Sequence, residues 1–206
     1  MADLTFYTNP MSRGRITRWM LEESGAEYDT VVLDYATTLK EPAYLAINPM
    51  GKVPAIVHNG QVVTEGAAIC TYLAEAFPDA GLAPSATERA DYYRWLFFAA
   101  GPVEQSITDR MLGVAPNEVQ QRSAGYGTYD RVVDVLEKAV SAHPYIAGDR
   151  FTAADVYFGS QCAFGVQFGT LPKRDAFLDY VGRITARDAY KRAAAKDDAL
   201  MPAPVA

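Results

Sequence analysis

The stretch N-P-M-G-K-V-P-A-I-V-H-N-G-Q-V-V-T-E-G-A-A-I-C-T-Y, from Asn48 to Tyr72, decides how the rest of the chain is read. Asn59-Gly60 lies between two β-branched runs, Ala55-Ile56-Val57 and Gln61-Val62-Val63-Thr64. That pattern predicts a two-residue hairpin, because a type I′ turn needs positive φ at both central positions and Asn-Gly supplies it at least cost. Pro54 stands where the first strand begins. It has no N–H for a ladder, so it fits only a strand start or an edge, and Val53 beside it should keep unpaired backbone groups. Beyond the hairpin, Thr64-Glu65-Gly66 leads into Ala67, Ala68, Ile69, Tyr72, Leu73 and Ala76 at helical spacing, closed by Phe77-Pro78. An open backbone edge beside a helix N-terminus can hold an extended, peptide-like anion.

Upstream, Leu4-Thr5-Phe6-Tyr7-Thr8 reads as a strand stopped by Asn9-Pro10. Ser12 offers a cap to a helix whose stripe is Ile16, Trp19 and Met20, and Ser24-Gly25 stops it. A second β-branched run covers Tyr28 to Leu33, so residues 4–33 form a strand-helix-strand crossover with parallel strands. Adding the hairpin predicts a four-stranded mixed sheet. Residues 35–50 lack a strong period and read as a surface segment, with Leu39, Tyr44 and Leu45 on one helical turn. The turn formers in Phe77-Pro-Asp-Ala-Gly-Leu-Ala-Pro84 mark a boundary: an α/β domain over 1–78, a linker over 79–86 and an all-helical domain over 87–206. The helical patterns fall at about 87–112, 117–141, 153–168, 175–184 and 186–196. Thr152 and Asp155 form a capping box after Phe151, and Pro202 to Ala206 should fray.

Composition narrows the function. Half of the 206 residues are apolar, and the formal net charge of −6 comes without a basic cluster longer than Arg13-Gly-Arg15 or Lys173-Arg174, which argues against nucleic acid as a partner. No run approaches the length of a membrane span, and the first residues lack the regions of a signal peptide, so a cytoplasmic protein is expected. The two cysteines, Cys70 and Cys162, each sit in an apolar segment and read as buried thiols, neither bridged nor nucleophilic. Two histidines without clustered partners give no expectation of a metal.

Three motifs in this order, Gly51-Lys52-Val53-Pro54-Ala55, Glu65-Gly66-Ala67-Ala68-Ile69 and Phe151-Thr152-x-Ala154-Asp155, on an α/β half followed by a helical half, resemble the cytosolic glutathione transferases. The opening Pro10-Met-Ser12-Arg-Gly-Arg15 looks like that of bacterial, theta- or beta-like members. The resemblance covers essentially the whole chain. It implies a thioredoxin-like N-terminal domain that binds glutathione as co-substrate, a helical domain that helps form an electrophile pocket, and a homodimer acting in detoxification. It further implies a cis bond before Pro54, Val53 paired with the cysteinyl part of glutathione, Glu65 and the Gly66 amide at the γ-glutamyl end, and Lys52 at the glycyl carboxylate. Where the family usually carries a serine, this chain has Gly66. Losing one hydrogen bond to a charged group costs roughly 1.5 to 3 kcal/mol, so weakened binding is expected.

Attack on an electrophile needs the thiolate, and a thiol of pKa about 8.5 is only slightly ionised at neutral pH. Ser12, at the position of the serine in theta-like members, is the expected activating residue. Tyr7, Asn9 and Arg13 are the alternatives, since Asn9 falls where other classes carry a tyrosine. Without a cysteine near the first helix, transferase or peroxidase chemistry is favoured over disulfide exchange. Met11, Phe98, Tyr157 and Phe164 are the candidates for the electrophile pocket, and Glu104 is a weaker candidate for the γ-glutamyl amine of a partner subunit. A catalytically weak or non-enzymatic glutathione-binding relative, and a glutathione-dependent peroxidase, are the alternative readings.

Overall fold

The computed structural model describes residues 2–201, so the expected fraying of Pro202 to Ala206 lies outside the described residues. The chain forms two compact units: the first runs to Ala83 and resumes from Ala186, and the second is Pro84–Thr185.

The first unit opens with β1 (Leu4–Thr8), α1 (Gly14–Ser24) and β2 (Asp29–Val32). A single 3-10 turn (Thr38–Lys40) and the short α2 (Pro42–Leu45) lead to β3 (Ala55–His58), β4 (Gln61–Thr64) and α3 (Gly66–Ala76). The strands make one mixed sheet in the order β2-β1-β3-β4, with β1 and β2 parallel and the other pairs antiparallel. The hairpin is the one predicted. Asn59 (φ 51°) and Gly60 (φ 77°) make the turn, and His58 pairs with Gln61 across it.

Strand periodicity divides β1 between two faces. Leu4, Phe6 and Thr8 are buried on the side of α1, where the Arg18 guanidinium lies over the Phe6 ring. Tyr7, on the other side, packs with Leu33, Leu39, Tyr44 and Ala55. Residues 35–50 are therefore more than a surface segment: Leu39 and Tyr44 are 1% and 3% exposed and cover the second face of the sheet. The missing period reflects two short turns of different pitch rather than one helix. The predicted stripe Ile16, Trp19, Met20 is buried, and α1 ends at Gly25 in the left-handed conformation. Its first residue has to be glycine, because a Cβ on Gly14 would lie 2.0 Å from Thr8 Oγ1.

The second unit is helical. α4 (Arg89–Phe98) and α5 (Glu104–Met111) are joined without a break by a π-helical turn, Ala99–Val103, that accommodates Pro102. The helix expected over 117–141 is interrupted: α6 covers only Gln120–Ser123, and α7 (Tyr129–Ala142) starts afresh. Gly125 and Gly127, the latter at φ +68°, break the run, and Thr128 recaps the chain by accepting from the Arg131 amide. α8 (Ala153–Phe168) is apolar on all sides and buried along most of its length, as a central helix must be, and α9 (Asp175–Thr185) packs against it. The capping box of Thr152 and Asp155 is present. Asp155 also accepts from the Ile146 amide and the Tyr180 hydroxyl, both at 2.8 Å, so one carboxylate ties the turn before α8 to α9.

α10 (Asp188–Asp198), which the helical pattern assigned to the second half, groups with the first unit and packs along α1. Arg18 and Asp197 form a buried ion pair at 2.6 Å. Around it Arg187 binds Glu23, Arg192 and Lys196 bind Glu22, and the Tyr190 ring meets Trp19 edge-on at 5.0 Å. Such a buried pair contributes little net stability while intact, because desolvation offsets the attraction; removing one partner costs about 3–5 kcal/mol.

Candidate functional site

The register of the sheet brings three segments of the Asn48–Tyr72 and Leu4–Ser24 regions to one end. Tyr7 of β1 pairs with Ala55 of β3, and Ala55 pairs with Thr64 of β4. The loop after β1 (Asn9 to Ser12), the residues before β3 (Lys52 to Pro54) and the residues after β4 (Glu65, Gly66) therefore leave the sheet side by side. Val53 and Pro54 are in the middle. Two strand spacings separate the outer segments, about 10 Å, which is also about the length of three extended residues.

The central segment is an unpaired strand-like edge with a defined shape, Lys52 exposed, Val53 half-buried and Pro54 buried. The Val53–Pro54 peptide is cis, as the resemblance implies. Among the described residues neither the amide nor the carbonyl of Val53 has a hydrogen-bond partner, whereas the Lys52 carbonyl has two, the Tyr44 hydroxyl and Asn48 Nδ2. Asn48 also accepts from the Met50 amide at its Oδ1 and from the Gly51 amide at its carbonyl, so the turn is wound around one side chain. Burial raises the Tyr44 hydroxyl pKa, the nearby Tyr7 adds to this, and the group stays a donor. Lys52 is exposed, and Lys40 Nζ lies 3.5 Å from the Gly51 carbonyl, bringing a second ammonium to this turn. The sequence reading gave no role to Asn48, Tyr44 or Lys40. The Asn-Pro-x-Gly run is an Asx-turn signal that could have found Asn48; Tyr44 and Lys40 arrive through tertiary folding alone.

On one flank, α3 begins without any side-chain cap and without an acidic residue in its first turn. Its first amides have no intrahelical acceptor, and the helix dipole makes this end favourable for an anion. Glu65, exposed, precedes it at φ 66° and ψ 117°, a conformation that a residue with a Cβ holds only where its surroundings impose it.

On the other flank the loop Asn9–Ser12 is tied by its own side chains. Asn9 is buried, its Nδ2 donates to the Leu33 carbonyl and its Oδ1 accepts from the Met11 amide. Ser12 is half-buried; its hydroxyl donates to the Asn9 carbonyl at 2.6 Å and accepts from the Gly14 amide at 2.9 Å. The serine therefore does cap-like work at the mouth of α1, with its single proton held by Asn9. The alternatives differ in what they offer. Asn9 has one of its amide protons committed to Leu33, Arg13 is exposed at the helix start, and Tyr7 packs in the cluster under α2, 5.6 Å from the Tyr44 ring.

The candidates for the electrophile are unequal. Met11 is 60% exposed, Phe98 and Phe164 are half-buried against Trp95 and Phe168, and Tyr157 is buried at 6% exposure, so it offers little surface. Glu104 accepts from Gln161 Nε2 at 2.7 Å within the second unit. Cys70 and Cys162 are fully buried, which pushes both thiols well above their usual range.

Residues 2–75 match the family model of the glutathione S-transferase N-terminal domain. The chain is 33% identical to glutathione S-transferase 3 of Zea mays over 168 residues, 75% of each protein. It is 30% identical to glutathione S-transferase GST-4.5 of Xanthomonas campestris over 188 residues, 85% of this chain and 91% of that one. In structure it resembles a glutathione transferase homologue of Sulfitobacter with bound glutathione, with a TM-score of 0.75 and 26% identity over 98% of this chain and all of the other.

Proposed function

This chain belongs to the glutathione S-transferase family, and from that premise we propose that it lowers the pKa of the glutathione thiol and directs the thiolate at small apolar electrophiles. The observation that carries this reading is the unpartnered backbone of Val53, set between the open end of α3 and the Ser12 loop. The cysteinyl N–H and C=O of glutathione pair with the Val53 carbonyl and amide as an added strand. The γ-glutamyl carboxylate lies on the first amides of α3, Gly66 among them, with Glu65 beside its ammonium. Lys52 neutralises the glycyl carboxylate, and Lys40 comes from the same side. The sulfur then faces the mouth of α1, where the Ser12 hydroxyl turns its proton from the Asn9 carbonyl to the thiolate while still accepting from Gly14.

With a chlorinated nitroaromatic, the thiolate forms the new carbon–sulfur bond, chloride leaves with the bonding pair, and the thiol proton goes to solvent. Residues 1–78 serve as the glutathione-binding domain and 87–185 carry most of the helical domain. In the first unit Met11 keeps surface for contact with the electrophile, and in the second Phe98 and Phe164 are half-buried. The same reading takes the protein to be a cytoplasmic homodimer with a detoxifying role. Retention on immobilised glutathione together with turnover of the chloronitroaromatic is the expected result. Retention without turnover would leave a binding relative, and no calorimetric heat at millimolar glutathione would remove the reading altogether.

Gly66 makes a directional prediction. Gly66→Ser restores a hydroxyl to the γ-glutamyl carboxylate and is expected to tighten glutathione binding by about tenfold, equivalent to about 1.4 kcal/mol. Calorimetric Kd values for the two proteins decide it; an unchanged Kd would move the γ-glutamyl end away from α3.

A further inference from the structure

Arg15 joins the loop that carries Ser12 to the far end of α10. Its Nε donates to the Pro10 carbonyl at 2.6 Å and its Nη2 donates to Asp198 Oδ1 at 2.8 Å. Among the described residues the other ties of the Asn9–Ser12 loop are internal to it or reach Thr8, Gly14, the Arg15 amide and Leu33, all adjoining the loop in the chain or the sheet. Asp198 is the last residue of α10, and the helix behind it is fixed to α1 by the buried Arg18–Asp197 pair.

We propose that Arg15 is a positioning residue for the thiol-activating loop, held in place by Asp198 so that α10 sets where the Ser12 hydroxyl stands. The inference rests on the assignment of Ser12 as the activating group. The Pro10 carbonyl is two residues from Ser12, and a guanidinium that bonds it in a fixed plane restricts where the loop can stand. Arginine suits this because its planar fork can direct two donors to two separate acceptors at once; a lysine ammonium, one point on a flexible stem, cannot reproduce both directions. Asp198 is largely exposed, at 66%, so its attraction alone is weak and screened, and what it supplies is the orientation of the fork.

The test is a double-mutant cycle read by the pH profile of kcat and by the KM for glutathione. Arg15→Ala is expected to lower kcat about tenfold, to move the acid limb of the profile upward, and to change the KM for glutathione less than twofold. Asp198→Asn should give the same pattern at two- to threefold, and the double variant should be no worse than Arg15→Ala. Arg15→Lys should not restore the profile. Rescue by Arg15→Lys would mean that positive charge alone matters, and additive losses in the double variant would mean that Asp198 does not act through Arg15; either result overturns the proposal. If Arg15→Ala fails to fold, Asp198→Asn on the surface still decides, because an unchanged kcat and profile in that variant rejects it. A Ser12→Ala control separates the two ideas: if it shifts the profile while Asp198→Asn does not, the activating serine stands and the tether falls.

Discussion

Ser12→Ala is expected to lower kcat/KM for a chloronitroaromatic by about 10²-fold and to raise the pKa of enzyme-bound glutathione by about two units, leaving affinity for the tripeptide nearly unchanged. Two units correspond to about 2.7 kcal/mol of selective stabilisation of the anion, within reach of one hydroxyl donor at a helix N-terminus. The ground-state contact of that hydroxyl explains why the effect should fall on the thiolate. In the free protein the Ser12 proton rests on the Asn9 carbonyl, a neutral acceptor, and only a charged sulfur competes well for it. Titration of the thiolate absorbance of the complex measures the shift directly. Ser12→Ala also removes the acceptor for the Gly14 amide, so Ser12→Thr, which keeps a hydroxyl, is the matching control. A folded Ser12→Ala protein with an unshifted thiol would transfer the activating role to Asn9 or Arg13.

A large effect on stability is expected at Asp155. Asp155→Ala leaves the buried amides of Ile146 and Thr152 and the buried hydroxyl of Tyr180 without an acceptor. At about 1–3 kcal/mol for each stranded donor, partly relieved by relaxation, the loss is about 3–5 kcal/mol. Thermal unfolding should then come roughly 10 °C lower. A pH arm makes the assignment specific. Burial lifts the Asp155 carboxyl to about 6, against the pull of the donors around it. Its folded value is raised, so between the unfolded range near 4 and about 6 the folded protein holds a proton that the unfolded chain has released. The wild-type protein therefore loses stability as pH rises through that window, and Asp155→Asn should lack this part of the slope. Denaturant midpoints at several pH values check both arms; an Asp155→Ala protein as stable as wild type would show that the carboxylate holds nothing together.

How much could be read in advance follows from the range over which each signal acts. The hairpin at Asn59-Gly60, the stop at Gly25 and the capping box at Thr152 and Asp155 are decided by residues within four positions of one another, and the sequence carries them openly. The break at Gly125 and Gly127 was legible in those two glycines and in the run Gln120–Ser123, which has no apolar residue, and a single helix over 117–141 passes over both. The burial of Leu39 and Tyr44 was hidden because their partners, Tyr7, Leu33 and Ala55, lie in three other segments. The site shows the same division. Val53, Pro54, Glu65 and Gly66 stand out from turn chemistry, but the cis bond was reached only through the family resemblance. That Asn48 and Tyr44 both grip the Lys52 carbonyl is a tertiary fact, and so is the contact of Arg15 with a carboxylate 183 positions away.

The return of α10 to the first unit also sets an order of completion during synthesis. The sheet and α1 leave the ribosome before the second unit, yet the partner of the buried Arg18 emerges only after all of that unit has been made. Until then the Arg18 guanidinium lacks its carboxylate and the Trp19 ring lacks the edge-on contact of Tyr190. The first unit is thus closed around α1 only once the second unit is complete.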